Sequence, residues 1–224
     1  MLNSTTFIAD QQRLFSIDKG QNDRFQSLVN LFPSGKEREY WSLDQCIREL
    51  DFDFYHDLLP QIAQWASEHS QAKLIEPLHA GKTGTIVYTA VQARYILANA
   101  FFLNTTAGYG SIELYRLYTG MYDRVAIARI RCLIEYFRLS LLEKDLDRQI
   151  SIERYFYQDQ LPDWSQQNIP IQSSKINLFT TRMEDAHDAQ GFVDFANKRI
   201  HIHQIIASAT QEEVLCKIEH EILS

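Results

Sequence analysis

Three carboxylates toward the end of the chain stand where chemistry could use them. Asp194 sits in a short apolar and aromatic run, Phe192, Val193, Phe195 and Ala196, whose pattern predicts a mostly buried strand, so the acid is the exception that needs a reason. Downstream, Thr210 followed three residues later by Glu213 makes a capping-box pattern, and Val214, Leu215, Ile218 and Ile222 recur at the spacing of a one-sided helix. Glu212 and Glu213 therefore open that helix in its first turn. The plain reading is capping, since acids there meet free N–H groups and the positive end of the dipole. The chemical reading is proton transfer. It requires burial or a bound substrate to raise the pKa of the acid against the pull of the helix end. Adjacent helical residues point about 100° apart, so Glu212 and Glu213 do not form a facing acid and base pair, and their roles must differ.

These residues also carry a resemblance. VDFAN at Val193 to Asn197 and QEE at Gln211 to Glu213, with the loop length between them, resemble the signature of the poly(ADP-ribose) glycohydrolase family. Upstream, LANAFF at Leu97 to Phe102, LYTG at Leu117 to Gly120, EYFR at Glu135 to Arg138 and PDW at Pro162 to Trp164 resemble, in the same order, landmarks of the helical accessory region of that family's catalytic unit. The resemblance implies a hydrolase that splits ribose–ribose O-glycosidic bonds of poly(ADP-ribose), releases ADP-ribose and needs no cofactor.

The resemblance also implies roles, position by position. Glu213 matches the carboxyl that protonates the leaving ribose oxygen and then activates water, and Glu212 matches the residue that holds the ribose hydroxyls. Asp194 and Asn197 match the acid and amide of the strand that support them. Met183 and Glu184 match adenine contacts, and Gln211 completes the motif. Glycosidic cleavage passes through an oxocarbenium-like state, which explains the need for an acid at the leaving oxygen and negative charge beside the developing cation.

The chain departs from the family in two places. Where many members have three glycines after the strand, His201, Ile202 and His203 stand here, and only glycines let backbone N–H groups approach a diphosphate closely. The family's macrodomain also continues well past the QEE helix, whereas this sequence ends at Ser224. The expectation is a helical accessory region joined to the opening part of a macrodomain, apparently truncated and weak or inactive as an isolated chain. It would then need a partner or a longer chain to supply the missing strands. The competing expectation is a non-catalytic fragment or relative that reads ADP-ribose or serves as a protein-interaction scaffold. A metal reading of His201 and His203 with Glu213 or His220 is weaker, because two histidines without a fixed third ligand make no set and EHE at 219–221 lacks the HExxH spacing. No metal is expected.

The elements that must position these groups follow from patterning. With 224 residues and 45% hydrophobic content the chain can bury a real core. A net charge of −7 gives no overall footprint for a polyanion, so contact with poly(ADP-ribose) on modified proteins must be local and direct DNA binding is not expected. Cys46, Cys132 and Cys216 are too few and too scattered for a disulfide framework or a zinc site. No secretory signal and no membrane span is read, so nucleus or cytoplasm is the expected location.

Residues 1–40 read as a polar, mixed and least structured segment. From Ser42 the pattern turns helical, with Pro60 in the first turn of a helix through Ile62 and Trp65, and Gly81 to Gly84 breaks the run. Thr89 with Gln92 predicts a capped, buried helix carrying Ile96, Leu97, Ala100 and Phe101. A short helix from Ser111 to Gly120 precedes a long one capped by Asp123, with Val125, Ile130, Leu133, Ile134, Phe137 and Leu141 inward and solvated pairs such as Arg131 with Glu135 outward. Beyond about residue 150 the segments become extended, first at Ile152 to Tyr157 and then at Ile176 to Thr180. The fold class is α+β: a helical accessory region over 41–150, then the first part of an α/β macrodomain over 151–224.

Overall fold

In a computed structural model of the chain, the described residues are 21–33, 39–73, 78–79, 81–104, 114–119, 124–157 and 163–166, with single positions at 168, 170, 178 and 180. They fall into two compact units. The first holds 21–73 and 86–152, and the second holds 78–85 and the positions from 153 onward.

The first unit is helical. Helix α1 spans Gln21–Val29 and α2 spans Trp41–Arg48; a π-helical turn at Phe54–Leu58 leads into α3, Leu59–Ser67, and a 3₁₀ turn follows at His69–Gln71. After strand β1, Gly84–Thr89, come α4, Ala90–Phe101, the short α5, Tyr115–Tyr118, the long α6, Arg124–Ser140, and strand β2, Gln149–Arg154. Helix α3 packs on α4, and α2 packs on α5 and α6.

Local chemistry accounts for the main boundaries. The Asp53 carboxylate accepts from the N–H groups of Tyr55 and His56, both at 3.1 Å, and so starts the π-helical turn. Pro60 lies in the first turn of α3, where its fixed φ suits the helix. Helix α4 opens on the capping box: Thr89 Oγ1 accepts from Gln92 N at 3.2 Å, and Gln92 Oε1 accepts from Thr89 N at 3.1 Å. Its far end is a Schellman motif, with Leu103 N donating to Ala100 O and Asn104 N to Asn99 O, both at 2.9 Å. That closure needs a left-handed residue, and Leu103 supplies it at φ 57°. A side chain there costs about 1–2 kcal/mol in backbone strain, yet Leu103 is buried in the core, which offsets the cost.

The buried face of α6 is Ala126, Ile130, Ile134 and Phe137. Leu141 falls one residue past the helix end and is exposed, against the inward position its spacing predicts. Glu135 pairs with Arg138, whose Nε lies 2.7 Å from Glu135 Oε2, and not with Arg131 in the manner expected. The segment before Tyr40 is not merely polar. Leu28, Leu31, Phe32 and Tyr40 join the core, because Phe25, Leu28, Val29 and Phe32 repeat at helical spacing inside a polar composition.

The break read at Gly81 to Gly84 is a turn followed by a strand. Gly81 takes φ 78°, a conformation open to glycine without strain, and Gly84 is the first residue of β1. Strands β1 and β2 form a two-stranded antiparallel sheet, and Ala90 N donates to Arg148 O at 2.8 Å beside the end of β1. In the second unit Phe156 N donates to Thr83 Oγ1 at 2.9 Å, and Arg154 Nη1 reaches Leu78 O at 3.4 Å. Helices with this small sheet agree with the α+β class. The expected helix start at Ser111, Asp123 and the strand at Ile176 lie outside the described residues, as does nearly all of the expected macrodomain region.

Candidate functional site

Three of the sequence landmarks meet in one place. Phe101 of LANAFF stands edge-to-face on Phe137 of EYFR, with ring centroids 6.0 Å apart at 90°, and on Tyr118 of LYTG at 6.0 Å and 66°. Phe102 adds a further edge contact with Phe101, while Trp65 lies 6.0 Å from Phe137. Phe101, Phe102, Tyr118 and Phe137 are completely buried. Each contributes roughly 1.5–3 kcal/mol by burial, with roughly 0.5–1.5 kcal/mol more per well-oriented ring pair. These motifs are therefore the packing centre of the helical unit. They hold α4, α5 and α6 in one arrangement.

Three polar groups of that core are satisfied or held neutral: Asn99, Tyr118 and Cys46. Asn99, buried within LANAFF, donates from Nδ2 to Ala66 O at 3.1 Å and to Tyr95 O at 3.0 Å, tying α4 to the end of α3. Burial pushes the Tyr118 phenol well above its ordinary pKa and raises the Cys46 thiol to about 12, despite the opposing charge of Arg131. Neither ionises near neutral pH, so neither is an activated nucleophile. In PDW, Asp163 accepts from Ser165 N at 3.0 Å and caps the 3₁₀ turn Trp164–Gln166; the Ser165 hydroxyl and N–H lower its carboxyl pKa.

Two further polar features lie in the first unit. A cleft of about 270 Å³ is lined by Arg24, Arg48, Phe52, Asp53 and Tyr55 among others. Arg24 Nη1 lies 3.1 Å from Asp53 Oδ2, and Arg48 Nη2 lies 2.8 Å from Asp44 Oδ2, so each cation there is neutralised. In α4, Arg94 is buried with its guanidinium carbon 4.4 Å from the centre of the Trp65 ring. Sequence reasoning gave Arg94 no role. The available signal was a single arginine inside an otherwise apolar helix.

Met183, Glu184, Asp194, Asn197, Gln211, Glu212 and Glu213 lie outside the described residues, and so do His201, His203 and His220. Among the described residues no three His, Cys, Asp or Glu side chains are grouped as metal ligands, and no helix is long and apolar enough to cross a membrane.

The first unit defines a helical domain whose aromatic centre is built from motif segments that are distant in sequence. Residues 48–154, from the end of α2 to the end of β2, match the family described as Poly (ADP-ribose) glycohydrolase (PARG), helical domain. The match supports a relationship of the chain to the poly(ADP-ribose) glycohydrolase family through these residues. The match ends before Met183 and does not extend to the QEE motif. No curated protein matches the chain.

Proposed function

We propose that this chain is a poly(ADP-ribose) glycohydrolase that cleaves ribose–ribose bonds of poly(ADP-ribose) on modified proteins. One observation carries the reading: residues 48–154 match the helical domain of that family, and the VDFAN and QEE blocks follow in the same chain. In this reading Glu213 protonates the leaving ribose oxygen and then takes a proton from water, so that the bond breaks through an oxocarbenium-like state. Glu212 holds the ribose hydroxyls, and Asp194 and Asn197 support the two glutamates. Met183 and Glu184 take the adenine, and Gln211 completes the motif as a further substrate-binding residue.

The test is release of ADP-ribose from poly(ADP-ribose) by the purified chain. Replacing a general acid of this kind removes about 10²–10⁴ of the rate, so Glu213→Gln should fall by that order. Equal release by the variant would overturn the role of Glu213. His201, Ile202 and His203 in place of a glycine run remove the close backbone approach to a diphosphate and support a second reading, a non-catalytic relative serving as a protein-interaction scaffold. Folded protein that neither releases nor binds ADP-ribose would select it, and retained binding without release would point to an ADP-ribose reader.

A further inference from the structure

Arg94 is more than nine-tenths buried, yet its Nε has no hydrogen-bond partner, and among the described residues no carboxylate makes an ion pair with it. A charged group taken from water without an acceptor opposes folding, and native structures seldom leave such an atom unmatched without a reason. What holds Arg94 in place is the Trp65 indole, 4.4 Å from its guanidinium carbon. This contact places the guanidinium over the indole without neutralising its charge. Trp65 is rigid in turn, buried and tilted against Phe137.

The neighbouring charges leave a cation exposed to attraction. Glu68, on the last turn after α3, lies in electrostatic range; burial raises its carboxyl pKa and Arg94 lowers it, but the two form no ion pair. Arg148, near Tyr136 on the same side, is paired with Glu143 at 3.2 Å. We propose that Arg94, held over Trp65, is an oxyanion-binding residue of the helical unit and receives a phosphate or carboxylate at its guanidinium. Such a group would make charge-assisted bonds with a donor fork that is already oriented.

The test uses the full chain with Trp41→Phe and Trp164→Phe, so that Trp65 alone reports. Inorganic pyrophosphate and glutarate are titrated separately, against sodium chloride of equal ionic strength. The expected result is a saturable change in Trp65 emission with at least one of them, its midpoint weakened about tenfold or more by Arg94→Gln. Response to pyrophosphate identifies a phosphate ligand, and response to glutarate alone identifies a carboxylate. No saturable response, or an equal midpoint in Arg94→Gln, would overturn the proposal. If Arg94→Gln does not fold, phenylglyoxal modification of Arg94 in the parent, mapped by mass spectrometry, decides: pyrophosphate or glutarate slows it several-fold, or the proposal is wrong. The inference stands apart from the glycohydrolase reading, because Glu213→Gln retains the Trp65 response. An active enzyme without that response would overturn this inference alone.

Discussion

The Tyr118 hydroxyl donates to the Phe101 carbonyl at 3.1 Å inside the core, joining the LYTG segment to the last turn of the LANAFF helix. The phenol thus does two jobs, filling space between Phe32 and Phe101 and satisfying a carbonyl at a helix end. Tyr118→Phe keeps the ring and removes only the donor. It should cost about 1–3 kcal/mol, the penalty for leaving a buried acceptor unmatched. Tyr118→Ala also opens a cavity and should cost at least about 3–5 kcal/mol. Urea unfolding of the two variants checks this; a Tyr118→Phe variant as stable as the parent would show that the hydroxyl contributes nothing.

The capping box of α4 gives a second expectation. Thr89 and Gln92 each satisfy the other's backbone N–H, so Thr89→Ala should destabilise by about 1 kcal/mol and Thr89→Ser by much less. Thermal unfolding of both variants measures the difference. Ser and Ala variants of equal stability would mean that the side-chain oxygen is not what caps the helix.

Sequence patterning reached those features that local chemistry decides. The Thr89–Gln92 box, Pro60 in a first turn and the burial of Ile96, Ala100 and Phe101 all follow from short-range rules, and each is present. Strand β1 was missed because its six residues run straight into α4 with no turn between them, and its partner β2 lies some sixty residues downstream. Helix α1 was hidden by polar composition, although Phe25, Leu28, Val29 and Phe32 carry a helical stripe. Arg94 escaped notice because patterning scores a lone charge in an apolar helix as noise, and only Trp65, brought alongside by the packing of α3 on α4, gives it meaning. The candidate catalytic residues were legible as a motif alone, and their arrangement lies outside the described residues.

Leu103 offers a test of sign. In an ordinary helix or strand, glycine is less stable than alanine by roughly 0.5–1 kcal/mol. At φ 57° the order should reverse, because alanine keeps the left-handed strain and glycine relieves it. Both variants lose the buried isobutyl group, so both should be less stable than the parent. Leu103→Gly should nevertheless exceed Leu103→Ala by about 1 kcal/mol. Denaturant unfolding of the pair decides the matter, and the usual order would show that the Schellman closure does not constrain this residue.

Asp53 links stability to pH. Burial acts to raise its carboxyl pKa, but the His56 N–H, the Arg24 guanidinium and the Tyr55 N–H outweigh it and hold the group below the usual carboxylate range. A folded-state pKa below the unfolded value of about 3.9 means that the stabilisation is complete above that pH and is lost as pH falls through the folded value. At pH 7, Asp53→Ala should lose about 1 kcal/mol, mainly as the N-cap of the π-helical turn. Asp53→Asn keeps a capping oxygen and loses only the exposed pair with Arg24, which is worth about 0–1 kcal/mol. Unfolding measured from pH 7 down to pH 2 should show the gap between parent and Asp53→Asn closing below about pH 4. A gap independent of pH would assign the effect to packing and remove the carboxylate from the account.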